Sequence, residues 1–405
     1  IASEGNKSDS GSYYTPSNIV EESFNNLDLN SSSKFLDPCC GSGSFILAAI
    51  KLHNLNFDNI YGVDLDVSAV KLASINVLLK FPLVDRTPNI FCLDALNSFA
   101  NGDVFCDSNH LLLNIDVIAT NPPWGASKNS CNYSKYVDFL GSKEIFSMFI
   151  YKSMSLLSEN GKASFILPVS FLNVKSHSFI RKYLTSNFSI ISIDLLDRAF
   201  TGVFTKVIRL VISNIIISNN TTSISFLDNT QYKIPQSRFL YNESTVFDVN
   251  INNNDNLILS KVFKTKHFLL KDNAKWALGI VTGNNKLHIL DSSLVNTEPI
   301  YKGSCVTPFQ LKENQYFVKY ERDKFQQVAK EELYRSKEKL IYKFISSKLV
   351  FAYDNKKSLT LNSANILIPS IPNYSIKVVS AFLNSNLFQF IFLKKFSTHK
   401  VLKSD

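Results

Sequence analysis

Six residues, Ile115-Asp116-Val117-Ile118-Ala119-Thr120, form an almost wholly apolar run that leads directly into Asn121-Pro122-Pro123-Trp124. Such a run reads as a buried strand. In open α/β sheets, ligands collect at the carboxyl ends of the strands. Two successive prolines supply no backbone N–H after Asn121, so the turn is stiff and presents acceptors without competing donors. Two carbonyl oxygens beside a flat aromatic face suit a planar amino group attached to a ring.

The flanking sequence repeats the same plan. Lys34-Phe35-Leu36 reads as a short strand. It leads into Asp37-Pro38-Cys39-Cys40-Gly41-Ser42-Gly43-Ser44-Phe45 and then an apolar helix. Gly41 and Gly43 permit a tight turn and close backbone approach to a ligand. The spacing is neither Gly-x-Gly-x-x-Gly nor a Gly-Lys-Ser/Thr phosphate loop. Asp37 ahead of the turn suits an ammonium rather than a pyrophosphate. Ile60-Tyr61-Gly62-Val63 is a second strand ending at Asp64-Leu65-Asp66, and a carboxylate there is a usual partner of ribose hydroxyls. Asp66 reads as the cap of a helix over 67–79, with Val70, Ala73 and Val77 on one face. A third strand, Asn89–Leu93, ends at Asp94, which can accept from an amino group. Each acid alone suits a helix cap as well as a ligand; three at successive strand tips favour the ligand.

Further strands are expected at Ala163–Pro168, Ile190–Leu195, Val207–Ile212 and Ser223–Leu227. Helices are expected after Thr15 or Ser17, either of which can cap, and from about Lys143 to Leu157. Strands alternating with helices at this spacing imply a mostly parallel sheet covered on both faces. Residues 1–12, 98–110 and 125–134 read as polar connections.

At 405 residues the chain exceeds one ordinary domain. No apolar run approaches bilayer length. The polar start, Ile1-Ala2-Ser3-Glu4-Gly5, lacks a secretory layout and an initiating Met, so a trimmed N-terminus is expected. The six cysteines include no Cys-x-x-Cys pair, which points away from a zinc site or disulfide framework and toward a reducing cytoplasmic compartment. Charge is uneven. Residues 1–232 hold 17 Lys and Arg against 20 Asp and Glu, whereas residues 233–405 hold 26 against 14. A polyanion bound by the second half is one reading, and a solvated lysine-rich surface the other.

Gly11-Ser12-Tyr13-Tyr14-Thr15-Pro16, the Asp37–Phe45 turn and Asn121-Pro122-Pro123-Trp124, in that order, resemble the gamma class of amino-group DNA methyltransferases. The similarity is to the N6-adenine enzymes of the TaqI-like and Eco57I-like groups, and its motifs span residues 11 to about 212. It implies a Rossmann-like S-adenosyl-L-methionine-dependent methyltransferase sheet with helices on both faces over 1–235. A smaller α+β target-recognition domain follows over 236–405. By that resemblance Tyr14, Thr15, Pro16, Asp37, Pro38, Gly41 and Gly43 hold the methionine part of the cofactor. Asp64 takes the ribose, Asp94 the cofactor's adenine amino group, and Phe149 lies near the cofactor. Asn121 and Pro122 would accept from the target amine, with Trp124 and Phe200 (Phe204 its rival) stacking on a flipped adenine. Trp124 stands where the family usually has Tyr or Phe. No metal is implied. The implied partners are double-stranded DNA, bound as a monomer, and a restriction endonuclease, either separate or fused beyond these residues.

The second half matches more weakly, through Thr282-Gly283-Asn284-Asn285-Lys286, Pro299-Ile300-x-x-Gly303 and Phe382-Leu383-Asn384-Ser385. A boundary is expected within 230–256, where Pro235 and the Asn250–Asn256 run are linker-like. Lys339–Phe344 and Leu349–Tyr353 read as strands and Ser375–Phe392 as one helix. Lys337, Lys339, Lys343, Lys348, Lys356 and Lys357 cluster around those strands as candidate phosphate contacts, about half of them expected to be plain surface. Lys330–Arg335 reads as an exposed helix. The end at Lys394 to Asp405 resembles mid-domain. Two other functions fit parts of the pattern: a protein glutamine N5-methyltransferase using the same Asn-Pro-Pro-aromatic turn, and a non-catalytic DNA-binding subunit.

Overall fold

The computed structural model describes residues 15–96, 114–125, 133–196, 206–313, 315–396 and 402–403. The chain divides into two compact units, residues 1–253 and 254–405. The division falls inside the 230–256 stretch but later than residue 235.

In the first unit, α1 (Ser17–Glu22) precedes β1 (Phe35–Asp37), α2 (Ser44–His53), β2 (Ile60–Asp64), α3 (Val67–Lys80), β3 (Asn89–Cys92) and β4 (Ile115–Thr120). Next come α4 (Ser134–Leu140), α5 (Ile145–Leu156), β5 (Leu157–Pro168), α6 (Ser178–Asn187) and β6 (Ser189–Leu196). β7 (Val207–Ser213), β8 (Thr221–Ser225) and β9 (Gln231–Pro235) complete a nine-stranded sheet of order β3-β2-β1-β4-β5-β7-β6-β8-β9. β1 through β5 pair with one another only in parallel, and β7 runs antiparallel between β5 and β6.

Two separate cores explain why the central strands carry apolar residues at consecutive positions. Phe35, Val117, Ala119, Ile166 and Val211 pack on one face with Ile19, Ile46 and Ala73 from α1 to α3. Leu36, Ile118, Phe165, Leu167 and Leu210 pack on the other with Phe146, Ile150 and Ile180 from α5 and α6. Alternate residues of one strand thus enter opposite cores, as a period of two requires.

Several expectations shift. β5 begins at Leu157, immediately after α5 and ahead of the start expected at Ala163; a Cβ on Gly161 would meet the Ile115 carbonyl at 2.8 Å. β9 lies outside the predicted strands: its burial pattern has one buried residue, Ile234, too weak a period to read. Residues 236–253, expected in the second domain, instead close the first unit. Phe239, Phe247 and Val249 complete its core. Arg181 of α6, fully buried, donates to the carbonyls of Phe171, Val174, Ser244 and Thr245.

The second unit starts within α7 (Asn253–Lys264) and carries ten short strands. They are β10 (Ala274–Ala277), β11 (Ile289–Leu290), β12 (Glu298–Tyr301), β13 (Phe317–Val318), β14 (Lys339–Lys343), β15 (Ile345–Ser346), β16 (Phe351–Asp354), β17 (Leu359–Thr360), β18 (Ala364–Pro369) and β19 (Leu402–Lys403). Two four-stranded sheets result, β10-β18-β14-β16 and β11-β13-β12-β17. The helix expected over 375–392 is two, α8 (Ile376–Leu383) and α9 (Asn386–Ile391). Asn384 breaks it by bonding both the N–H and the carbonyl of Phe351, and the Ser385 side chain caps α9.

Two charge readings are corrected. Lys339 is fully buried and pairs with Asp354 at 2.7 Å, while also donating to the Tyr334 carbonyl. It is therefore no phosphate contact. In the segment expected to be exposed at 330–335, Lys330, Glu331 and Glu332 are exposed, but Tyr334 is fully buried and Arg335 donates to Glu298. Burial alone would raise the Asp354 pKa, but Lys339 and Ser358 overcome it and hold that carboxyl below its usual range. Removing one member of a buried ion pair strands the other charge, at a cost of about 3–5 kcal/mol. Lys339→Met is therefore expected to lower the unfolding free energy by that amount. Lys339→Met with Asp354→Leu is expected to recover most of it. Equal stability of wild type and the single variant in urea melts would contradict the pairing.

Candidate active site

The strand order reverses between β1 and β4, with β2 and β3 on one side and β5 on the other. Such a switch point leaves a crevice at the carboxyl ends of its two strands. Asp37 ends β1, and Asn121 follows β4.

The two tips are joined by a buried relay. The Thr120 hydroxyl donates to Asp37 Oδ1 at 2.6 Å, and Thr120 is fully buried. Cys39 Sγ lies 2.9 Å from the Thr120 hydroxyl and donates to the Asn121 carbonyl at 3.5 Å. The Cys39 backbone N–H also donates to Asp37 Oδ1. Burial, then the neighbouring Asp37, pushes the Cys39 pKa far up, so it stays a thiol donor. Asp37 Oδ2 is buried with no hydrogen-bond partner among the described residues. Burial raises the Asp37 pKa to about 7, against the lowering effect of Thr120 and the Cys39 N–H.

The glycine turn is built for close approach. Gly43 adopts φ +91°, and a Cβ there would meet Ala73 at 3.3 Å as well as being strained. Asp64 spends its oxygens on the turns, accepting from the Gly41 N–H at 2.8 Å and from the Asp66 N–H at 2.9 Å. Asp66 caps α3 through the Ser68 N–H, as its position predicts. Asp94 accepts from the Leu96 N–H and from the Tyr133 hydroxyl, both at 3.0 Å. Burial, then Asp94, raises the Tyr133 pKa to about 12.

At the tip of β4, Asn121 Nδ2 donates to the Thr15 hydroxyl at 3.1 Å. Asn121 Oδ1 is buried without a hydrogen-bond partner among the described residues. Pro122 is buried, and Trp124 is half-buried against the edges of both cores. Gly125, at φ +102°, turns the chain, and its carbonyl accepts from the Ile145 N–H. Neither Thr15 nor Ser17 caps α1; Pro16 holds the cap position and makes no side-chain bond.

Among the residues predicted for the site, Thr15, Asp37 and Asn121 meet through Thr120 and Cys39, with Asp64 tied to the same glycine turn. Phe149 is buried in the core on α5. Tyr14, Phe200 and its rival Phe204 lie outside the described residues. The sequence reading passed over Thr120, Cys39 and Tyr133. A hydroxyl closing an otherwise buried strand was a usable signal for Thr120. Tyr133, in a polar connection, offered none. Among the described residues no group of three His, Cys, Asp or Glu side chains could hold a metal ion.

A switch-point crevice with an acid and a glycine turn on one strand tip, and an Asn-Pro-Pro-aromatic turn on the next, defines an S-adenosyl-L-methionine-dependent methyltransferase. The residues fit that cofactor: its ammonium matches the unpartnered Asp37 oxygen, and the Gly41–Gly43 backbone leaves room for its chain. Residues 2–269 match the N-6 DNA Methylase family, and residues 298–404 match the TaqI-like C-terminal specificity domain. The chain belongs to the N-6 DNA methylase family, the DNA methyltransferases of restriction-modification systems. It is 30% identical over 309 residues to the type II methyltransferase M.VspI of Vibrio sp. (strain 343), covering 75% of this chain and 72% of that one. It is 26% identical to the Escherichia coli type II restriction enzyme and methyltransferase RM.Eco57I, over 43% of this chain and 24% of that one. The DrdV–DNA complex shares the fold at TM-score 0.56 and 13% identity, over 93% of this chain and 52% of that one. The type IIL enzyme MmeI bound to DNA does so at 0.54 and 11%, over 95% and 64%. The chain thus spans about half of DrdV and a quarter of RM.Eco57I. Among the described residues, no single helix is long and apolar enough to cross a membrane.

The Asp37 burial has a sign that can be measured. The folded protein holds a proton to about pH 7 that an unfolded aspartate, at about 3.9, has already released. Stability contributed by the protonated form therefore declines as pH rises from about 4 to 7. Thermal melts of the cofactor-free protein are expected to lose about 2–3 kcal/mol between pH 5 and 7 from this group. Asp37→Asn is expected to flatten that slope. An unchanged slope in the variant would show that Asp37 is ionised throughout.

Proposed function

We propose that the chain methylates the N6 amino group of an adenine flipped out of duplex DNA. The observation that carries this reading is a pair of buried oxygens without partners among the described residues, Asp37 Oδ2 and Asn121 Oδ1, on neighbouring strand tips. An unmet buried acceptor costs about 1–3 kcal/mol, and a ligand bringing donors returns it. A cation suits the first, and a neutral N–H the second.

When bound, S-adenosyl-L-methionine supplies an electrophilic methyl group. Asp37 holds the cofactor's ammonium, with Tyr14, Thr15, Pro16, Pro38, Gly41 and Gly43 around its methionine part. Asp64 takes the ribose and Asp94 the adenine amino group, where Tyr133 already donates. The exocyclic nitrogen of adenine is a poor nucleophile because its lone pair is delocalised into the ring. Asn121 Oδ1 and the Pro122 carbonyl each accept one of its N–H groups, turning the nitrogen toward tetrahedral geometry and localising that lone pair. Orientation and fixed dipoles carry the step, and no general base is needed before attack. A base within a duplex is out of reach, so it flips and stacks on Trp124 and Phe200. The basic second unit, matched by the TaqI-like specificity domain, supports DNA as the substrate. A restriction endonuclease is the expected companion in the cytosol, with the methyltransferase acting on DNA as a monomer.

Asn121→Ala is expected to abolish labelled methyl transfer to unmodified genomic DNA while calorimetry shows cofactor binding intact; equal turnover would remove Asn121 from the chemistry. Cofactor affinity is expected to drop about ten-fold per pH unit below 7, as Asp37 takes up its proton. Titration calorimetry from pH 5.5 to 8.5 checks this, with Asp37→Asn giving weak, pH-independent binding.

A further inference from the structure

Thr15 lies two residues ahead of α1, next to Pro16 at the cap position, where a hydroxyl could accept a helix N–H. Here α1 has no side-chain cap, and the buried Thr15 hydroxyl accepts from Asn121 Nδ2 at 3.1 Å instead. The two residues lie 106 positions apart in sequence. A primary amide has two ends of opposite character, a donor and an acceptor. Whichever end is held at the back determines what the front presents. By receiving the N–H, Thr15 leaves Asn121 Oδ1 forward, and that is the atom found buried and unpartnered. A rotation of the amide by half a turn would present a donor to an incoming amine, and no hydrogen bond would form.

We infer that Thr15 is a positioning residue for methyl transfer, holding the Asn121 amide with its oxygen toward the target nitrogen. The hydroxyl does this only while its own proton goes elsewhere, because a hydroxyl that donated to Asn121 would select the opposite end. No acceptor for that proton is found among the described residues. The carboxylate of an amino-acid cofactor has the right chemistry to take it. One side chain then connects the two substrates: a filled cofactor site fixes the direction of the Thr15 proton, and that direction fixes the amide. The inference rests on Asn121 accepting from the target amine.

The test uses the full chain, tritiated S-adenosyl-L-methionine and genomic DNA from an unmodified host. It compares Thr15→Val, Thr15→Ala, Thr15→Ser and Asn121→Ala. At saturating cofactor, Thr15→Val is expected to turn over about ten-fold to a hundred-fold more slowly than wild type. Its cofactor Kd by calorimetry is expected to rise at most about five-fold. Thr15→Ser, which restores the hydroxyl, is expected to recover turnover to within about three-fold. Thr15→Ala gives the same readout should the valine variant fail to fold. A raised cofactor Kd with unchanged saturated turnover would make Thr15 a cofactor contact only and overturn the inference. So would failure of serine to rescue. If Asn121→Ala turns over normally, the reading of Asn121 itself is wrong, an outcome separate from the other two.

Discussion

The hydrogen bond from Thr120 to Asp37 is the constraint on which the rest of the site depends. It joins the ends of two parallel strands where the strand order reverses. With Oδ1 occupied by Thr120 and the Cys39 N–H, the carboxylate has one free oxygen and one direction in which to offer it. With Thr120 fixed by Asp37, the following Asn121 leaves the sheet at a set angle. The fold thereby sets a carboxyl oxygen and an amide oxygen, both buried and without partners among the described residues, at the tips of adjacent strands.

How much of this was legible varies with the physics involved. β1, β2, β4 and β7 were readable because strands buried on both faces have no polar alternation to blur them. Asp66 was readable as a cap because its role is settled within two residues. The Asp37–Asn121 pairing was readable only in outline, from acids and an Asn at successive strand ends. The atoms that orient them come from Thr120, Cys39 and Thr15, and those bonds cross the sheet. Thr15 also shows how a local rule fails. Its sequence context favours a helix cap, yet a residue more than a hundred positions away takes the hydroxyl. The second unit was less legible for a related reason. Lysines near strands look alike in sequence, and only Asp354, fifteen residues from Lys339, distinguishes the buried one.

The second unit also relies on backbone contact. Gly279 lies so close to Leu361 that a Cβ would meet its carbonyl at 2.1 Å, and Gly303 meets the Ser363 carbonyl at 2.4 Å. Two glycines pressed against one loop before β18 hold the two small sheets at a spacing no side chain would allow. A unit made of strands of two to six residues has little ladder to define it. Close backbone approach and the buried Lys339–Asp354 pair supply that definition.

Arg181 bears on how such proteins can be recombined. Its guanidinium has no carboxylate among its hydrogen-bond partners, and two of its four carbonyl acceptors, Ser244 and Thr245, come after the last strand of the large sheet. Severing the chain at the end of that sheet would leave a cation embedded in hydrocarbon with half its acceptors gone. A cut placed beyond residue 253 would keep all four acceptors. The span from Ser237 to Asn253 is thus part of the body it closes, and the buried cation is what binds it there.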